Sequence, residues 1–465
     1  INHLLMKIRY IILSAITLIA SLSVSAKVHY VFYFIGDGMG MGHVNTTQYY
    51  NRMVLGNDTP LLMMQFPVAS QAQTYSASAP ITDSAAAGTA LSTGSKTRNY
   101  TIGLAPDTIT PLISIARKLK DDGWGVAVLS SCAADDATPA AFYAHQVDRN
   151  MFYEINLDAA ASGYDFIGGA SLRGVRKPEQ AKEVYSALKK AGYAITHNPD
   201  SVTLMGSDRV MLLADPDKRG NDNSIGYTVD SLQGAMTVAQ MTQAALNHLM
   251  KQSPDQFFMM VEDGEIDHAS HANDAGAAIK DILSFQDAIK VAYDFYKQHP
   301  DETLIIVTAD HDTGGMALGS RTNRINLNLI DSQRISKDKF SDYCRSLIRN
   351  NESMSWDEMK KFLSDKLGFW TTVPITENET KDLQVLFDKA IVARESQDQR
   401  TLYNNFNQFA VKVFDLFNSH VGTSFISGNH TANPVPVFAI GAGADNFKKA
   451  LNNIEIPLLI YDLTR

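Results

Sequence analysis

FFMMVEDGEIDHASH, residues 257–271, sets an apolar run against a knot of charge. Residues 257–261 read as a buried strand, and Glu262, Asp263, Glu265, Asp267, His268 and His271 follow at once. Carboxylates and imidazoles at the end of a core strand are costly to bury unless something offsets their charge. In open α/β proteins that carboxyl edge is also where ligands bind. Other apolar runs end in the same kinds of residue. Residues 28–35 lead to Asp37 in the turn GDGMG, residues 126–130 to Asp136 and Thr138, and residues 303–308 to Asp310 and His311. His430 stands just before the run 435–440.

If these strands are parallel neighbours, their common edge gathers several carboxylates and imidazoles. Mixed oxygen and imidazole donors suit zinc, and an all-oxygen subset suits magnesium. Helical periodicity at 107–121, 236–251 and 277–298 alternates with the fully apolar runs. That alternation predicts an α/β fold: three layers, α/β/α, around a large, mostly parallel central sheet. The glycines of 36–40 suggest a turn whose backbone approaches a ligand closely. Residues 27–324 and 420–465 form the expected core. Residues 325–419 are charged and helix-like at 341–350, 355–367 and 377–417, and read as a helical insertion.

The chain has 465 residues, 45% hydrophobic and 20% charged, which is ordinary for a globular protein. A net charge of −9 with no Lys/Arg run argues against nucleic-acid binding. Lys7 and Arg9 precede an apolar stretch at 10–22, and small residues follow at 24–26. Residues 1–26 therefore read as upstream residues and a signal peptide starting at Met6, too short in its apolar part to span a membrane. Export to the periplasm or medium is expected, with no transmembrane anchor. The two cysteines, Cys132 and Cys344, are expected to be free and buried. A thiolate metal site is not expected.

A nucleophile candidate lies in TDSAAAGTA, residues 82–90. Ser84 begins a small-residue helix, whose free N–H groups favour an anion. The plain alternative is helix capping by Asp83 or Ser84. No nucleophile elbow surrounds Ser84 and no histidine lies near it in sequence; coordination to zinc is one means by which such a serine could be ionised. Arg149 offers a planar fork for two phosphoryl oxygens, although a surface ion pair is the commoner fate of an arginine.

Taken together, IGDGMG (35–40), TDSAA (82–86), DATPA (136–140), VE and ID (261–262 and 266–267) with His271, TADH (308–311) and GNH (428–430) resemble the alkaline phosphatase family. The resemblance covers nearly the whole mature chain outside the insertion. It implies phosphate-monoester hydrolysis at alkaline pH through a phosphoserine at Ser84, with Arg149 gripping the phosphate. Asp267, His271 and His430 look like ligands of one zinc, which would activate the hydrolytic water. Asp37, Asp310 and His311 look like ligands of a second, which would activate Ser84. Asp37, Thr138 and Glu262 would hold a magnesium, giving two Zn2+ and one Mg2+ per chain. Asp136 and His268 would act around the magnesium and phosphate through water, and this mixed pair is expected to favour magnesium over a third zinc. Asp263 and Glu265 are left as solvated loop residues. The resemblance also implies a homodimer and small phosphate monoesters of broad range as substrates. A phosphodiesterase, a sulfatase or a pure phosphate-binding protein fits these residues less well.

Overall fold

The structure is a computed structural model describing residues 27–221, 223–319, 324–395, 398–400 and 405–465. The expected signal peptide lies outside the described residues. Ten strands form the main sheet: β1 (Tyr30–Gly36), β2 (Val68–Gln73), β3 (Gly125–Ser130), β4 (Phe166–Gly169), β5 (Tyr193–Thr196), β6 (Arg209–Leu213), β7 (Phe257–Asp263), β8 (Thr303–Thr308), β9 (Val435–Gly441) and β10 (Leu451–Asn452). Their order is β10-β2-β9-β8-β1-β7-β3-β4-β6-β5. Helices flank the sheet, as the α/β expectation required.

The apolar runs sit at the centre for a physical reason. Every residue of β1, β3, β7 and β8 is buried, and a strand covered on both faces cannot alternate polar with apolar. Each fully buried Val, Ile or Phe contributes about 1.5–3 kcal/mol. Phe32, Phe257 and Phe295 of the covering helix Ala275–Tyr296 add edge-on and tilted ring contacts.

Register turns this core into a site. Ile35 lies opposite Glu262 on one side and Thr308 on the other, and Ser130 lies opposite Glu262. The residues that follow therefore emerge at one level. One expectation needs correcting: β9 runs antiparallel to both β8 and β2. Its start, not its end, lies at the common edge, which is why His430 precedes its strand while the other candidates follow theirs. The helix expected over 107–121 is shorter, Ile115–Asp121, capped by Ser114.

Within residues 325–419 the helices Lys337–Arg349, Trp356–Leu367 and Glu377–Phe387 lead to Gln408–Val421. The expected span 377–417 is thus interrupted by a π-helical turn and a small strand pair. Phe340, Leu363, Phe387, Phe409 and Phe414 give this region an apolar cluster that also takes in Tyr50, Ala275 and Ile279.

The glycine turn after β1 packs against protein. Gly38 has φ 70°, and a Cβ there would come within 2.8 Å of Asp267 Oδ1 and 2.9 Å of Thr313 Oγ1. A Cβ on Gly40 would overlap Asp312 Oδ1 at 1.7 Å. Backbone is brought close so that Asp37 can reach the carboxylates of neighbouring loops. Gly38→Ala should therefore lower unfolding stability by about 1–3 kcal/mol, measured by denaturant titration. An unchanged midpoint would show that the turn is not under this constraint.

Candidate active site

Asp83 caps the helix Ser84–Thr93, accepting a hydrogen bond from Ala86 N at 3.0 Å. Ser84 is the first residue of that helix and is spared the capping role. Its Oγ lies 3.2 Å from His311 Nε2, and the side chain is buried. The other oxygen of Asp83 receives Tyr100 N and Arg149 Nη1, at 3.1 and 3.3 Å. The same carboxylate thus fixes the start of the serine helix and one arm of Arg149.

The three imidazoles at this edge share a tautomer, set by their outer partners. His271 Nδ1 faces Gly428 O at 2.7 Å, and His430 Nδ1 faces Thr82 O at 2.9 Å. Carbonyls only accept, so each Nδ1 carries the proton. Thr313 Oγ1 donates to Asp267 Oδ1 at 2.5 Å, so His311 Nδ1, 3.1 Å from that hydroxyl, must donate to it. All three Nε2 lone pairs then point inward. His271 and His430 face each other Nε2 to Nε2 at 3.0 Å, with Asp267 Oδ2 at 3.4 Å from His271. His311 Nε2 lies 3.1 Å from Asp310 Oδ2 and 3.5 Å from Asp37 Oδ1. Lone pairs facing lone pairs and carboxylates are repulsive unless a cation stands among them, and outer hydrogen bonds of this kind orient metal-binding histidines.

Two groups of donor atoms answer that description, Asp37/Asp310/His311 and Asp267/His311/His430, each with all donors within 4.8 Å of one another. The first is the expected set. In the second, His311 stands where His271 was expected, with His271 alongside. Electrostatics points the same way. Burial, then the carboxylates of Asp310, Asp267 and Glu262, pushes Asp37 well up. Burial, then His430, pushes His311 well down. Burial would raise Asp267 as well, but His271, His430 and His311 hold it below the usual range.

Beside these lies an oxygen-rich pocket. Glu262, raised to about 8 by burial and then by Asp136, accepts a short hydrogen bond from Ser130. Asp37 Oδ1, Thr138 Oγ1 and Asp310 Oδ2 are buried with no hydrogen-bond partner among the described residues. Such oxygens suit a hard cation.

Several expectations change here. Asp263 and Glu265 are buried, not solvated. Ser131 Oγ donates to Asp263 at 2.9 Å, while Glu265 accepts from Gly226 N at 3.2 Å and lies 3.8 Å from His268 Nδ1. Burial lowers His268, but Glu265, Asp267 and Asp136 together outweigh it and lift the imidazole to about 9. Asp136 pairs with Arg149 and also with Arg173, a residue the sequence did not flag. Cys132, free and buried like Cys344, joins Asp136 and His268 within 4.8 Å. Burial pushes its thiol well up, so it stands there as a neutral group. A cavity of about 360 Å³ opens from Asp136, Arg149 and His271 and is lined on the far side by Ser336, Asp338 and Phe406, from residues 325–419.

Among the described residues, no helix is long and apolar enough to cross a membrane. The alkaline phosphatase family model matches residues 28–170 and 214–464. Alkaline phosphatase 4 of Bacillus subtilis is 27% identical over 95% of this chain and 89% of its own length. The cold-active alkaline phosphatase of a psychrophilic Shewanella superposes with a TM-score of 0.77 at 25% identity, covering 94% of this chain and 100% of that one. The Thermus thermophilus alkaline phosphatase gives 0.77 and 25%, over 95% and 93%. A TAB5 alkaline phosphatase variant, 24% identical over 94% of this chain and 99% of its own with a TM-score of 0.65, was solved with Mg in its M3 site. A serine at a helix start facing inward-pointing imidazoles and buried carboxylates is what metal-assisted ester hydrolysis needs, and with these likenesses the chain belongs to the alkaline phosphatase family of metal-dependent phosphomonoester hydrolases.

Proposed function

We propose that this enzyme cleaves small phosphate monoesters through a phosphoserine at Ser84, using two zinc ions and one magnesium. The observation that carries this reading is the inward lone pair of His311, 3.2 Å from Ser84 Oγ and beside two carboxylates. Asp267, His271 and His430 would hold one zinc and Asp37, Asp310 and His311 the other. Asp37, Thr138 and Glu262 would hold the magnesium, a choice supported by their oxygen-only donors and by the Mg found in the TAB5 neighbour. Bound there, the metals would lower the pKa of the serine hydroxyl and of water and meet the charge on the phosphoryl oxygens.

The chain's own groups supply the rest. The Ser84 helix directs its N-terminal N–H groups and positive dipole end toward the phosphoryl group. Arg149, held by Asp83, presents its fork to two of the non-bridging oxygens. Ser84 Oγ attacks phosphorus, its proton leaves to solvent, and the P–O bond to the alcohol breaks. Water then attacks the phosphoserine, releasing inorganic phosphate and restoring the serine. Side-chain acid–base chemistry is sparse because the charge is met by fixed cations. The cavity beyond the phosphate, lined by both charged and apolar side chains, leaves room for varied alcohols, in keeping with broad specificity. Export through residues 1–26 and pairing of two chains belong to the same proposal.

Ser84→Ala should cut kcat on an aryl phosphate about a thousandfold or more, over 4 kcal/mol of barrier, with metal content unchanged. Activity equal to the parent's would remove the covalent route. Metal analysis of protein refolded with both ions should give two zinc and one magnesium; three zinc with no magnesium would overturn the third assignment.

Stripping the metals should also change the pH dependence of stability. Glu262 and Asp263, raised by burial to about 8 and about 7, bind more protons folded than unfolded once pH exceeds their ordinary range. Stability then falls as pH rises. Chelated protein should melt lower at pH 8 than at pH 6.5, and zinc with magnesium should remove part of that drop. A flat profile in the stripped protein would contradict the burial of these charges.

A further inference from the structure

Arg173 follows β4 in a single 3-10 turn, Arg173–Val175, jammed against the helix Phe152–Ser162. A Cβ on Gly174 would come within 2.3 Å of Phe152 O, so this close approach requires a glycine. The turn is tied down by Asp135, which is fully buried. Asp135 Oδ2 accepts from Arg173 N, Gly174 N and Asn156 Nδ2 at 2.6, 2.9 and 2.8 Å. The Arg173 guanidinium lies 4.0 Å above the Phe152 ring. Its Nε reaches Asp135 Oδ1 at 3.3 Å, and its Nη2 reaches Asp136 Oδ1 at 2.9 Å. Arg149 Nη2 meets that same Asp136 oxygen at the longer distance of 3.4 Å.

We propose that Arg173 is a positioning residue for phosphate recognition: by taking the shorter contact to the oxygen it shares with Arg149, it keeps Asp136 from capturing the Arg149 fork. Three carboxylates, Asp83, Asp135 and Asp136, stand around two guanidiniums here. Removing Arg173 would leave Asp136 with Arg149 as its remaining guanidinium, beside His268. The carboxylate would then draw Arg149 into a two-pronged pair, the geometry such forks prefer, and would repel the incoming dianion. A loosely shared Asp136 leaves Arg149 able to exchange a carboxylate oxygen for a phosphoryl oxygen. Arg173 itself is anchored on three sides and does not move to substrate. The mixed Asp136/His268 arrangement is thus completed by a third partner, supplied from a different strand.

The inference rests on Arg149 being the phosphate-binding arginine, and the test separates the two. Competitive inhibition by inorganic phosphate is measured on metal-loaded enzyme, with metal content and melting temperature as controls for folding. Arg149→Ala should weaken phosphate; if it does not, the reading of the site fails. Given that loss, Arg173→Gln should raise the inhibition constant of phosphate about tenfold or more. Arg173→Lys, which keeps the charge, should recover most of the affinity and guards against a glutamine variant that folds poorly. In an Asp136→Asn background the Arg173→Gln change should cost less than about threefold, since the carboxylate it restrains is gone. Equal losses in both backgrounds would overturn the proposal. So would a fall in kcat with the phosphate constant unmoved, which is what a purely structural role produces.

Discussion

Inward-facing lone pairs at a dry sheet edge are the constraint on which the rest of this structure depends. His271, His311 and His430 each spend Nδ1 on an oxygen of the surrounding protein and turn Nε2 toward carboxylates or one another. Without a cation that arrangement is unfavourable twice over: His271 and His311 resist protonation there and Asp37 resists losing its proton. A divalent ion reverses both, because it favours neutral imidazole and ionised carboxylate at once. The close-packed strands β1, β7 and β8 keep the ligands from relaxing apart. Stability and metal affinity are therefore linked through the same few residues.

How much of this was legible in the sequence follows from where each signal is stored. β1, β7 and β8 carry their burial in their own residues, as uninterrupted apolar runs, and their boundaries could be read within a residue or two. β4 is only FIGG, and β2, VASQAQ, alternates toward solvent; both are too short or too polar to stand out. The direction of β9 is not a local property at all. His430 was nonetheless legible as a candidate ligand, since the motif around it can be read without knowledge of the strand's orientation.

The site residues that went unread have partners distant in sequence. Asp263 and Glu265 look as acidic as any solvated turn, and only Ser131 and Gly226 make them interior groups. Arg173 is a lone arginine after a short strand. Its role comes from Asp135 and Asp136, which β3 delivers to the same edge. Motifs record which atoms meet a metal or substrate. They carry far less about the counter-charges that hold those atoms in place.

Those counter-charges also give residues 325–419 a physical route to the site. Glu265 lies beside His268 and accepts from Gly226 N. Two residues on, Thr228 N donates to Asp281 of the long covering helix at 2.7 Å. Between them Tyr227 hydrogen-bonds to Asp338, and Asp230 accepts from Ser336 N at 2.9 Å, so residues 226–230 are stitched to the helix Lys337–Arg349 and its cap. The metal candidates are held by the sheet edge and by backbone carbonyls outside this stitching. A shift of the helix Lys337–Arg349 would therefore reach His268 and the far wall of the cavity before it reached Asp37, Asp310 or His311. In this architecture, changes in residues 325–419 act on His268 and the cavity wall and leave the candidate metal ligands to the sheet.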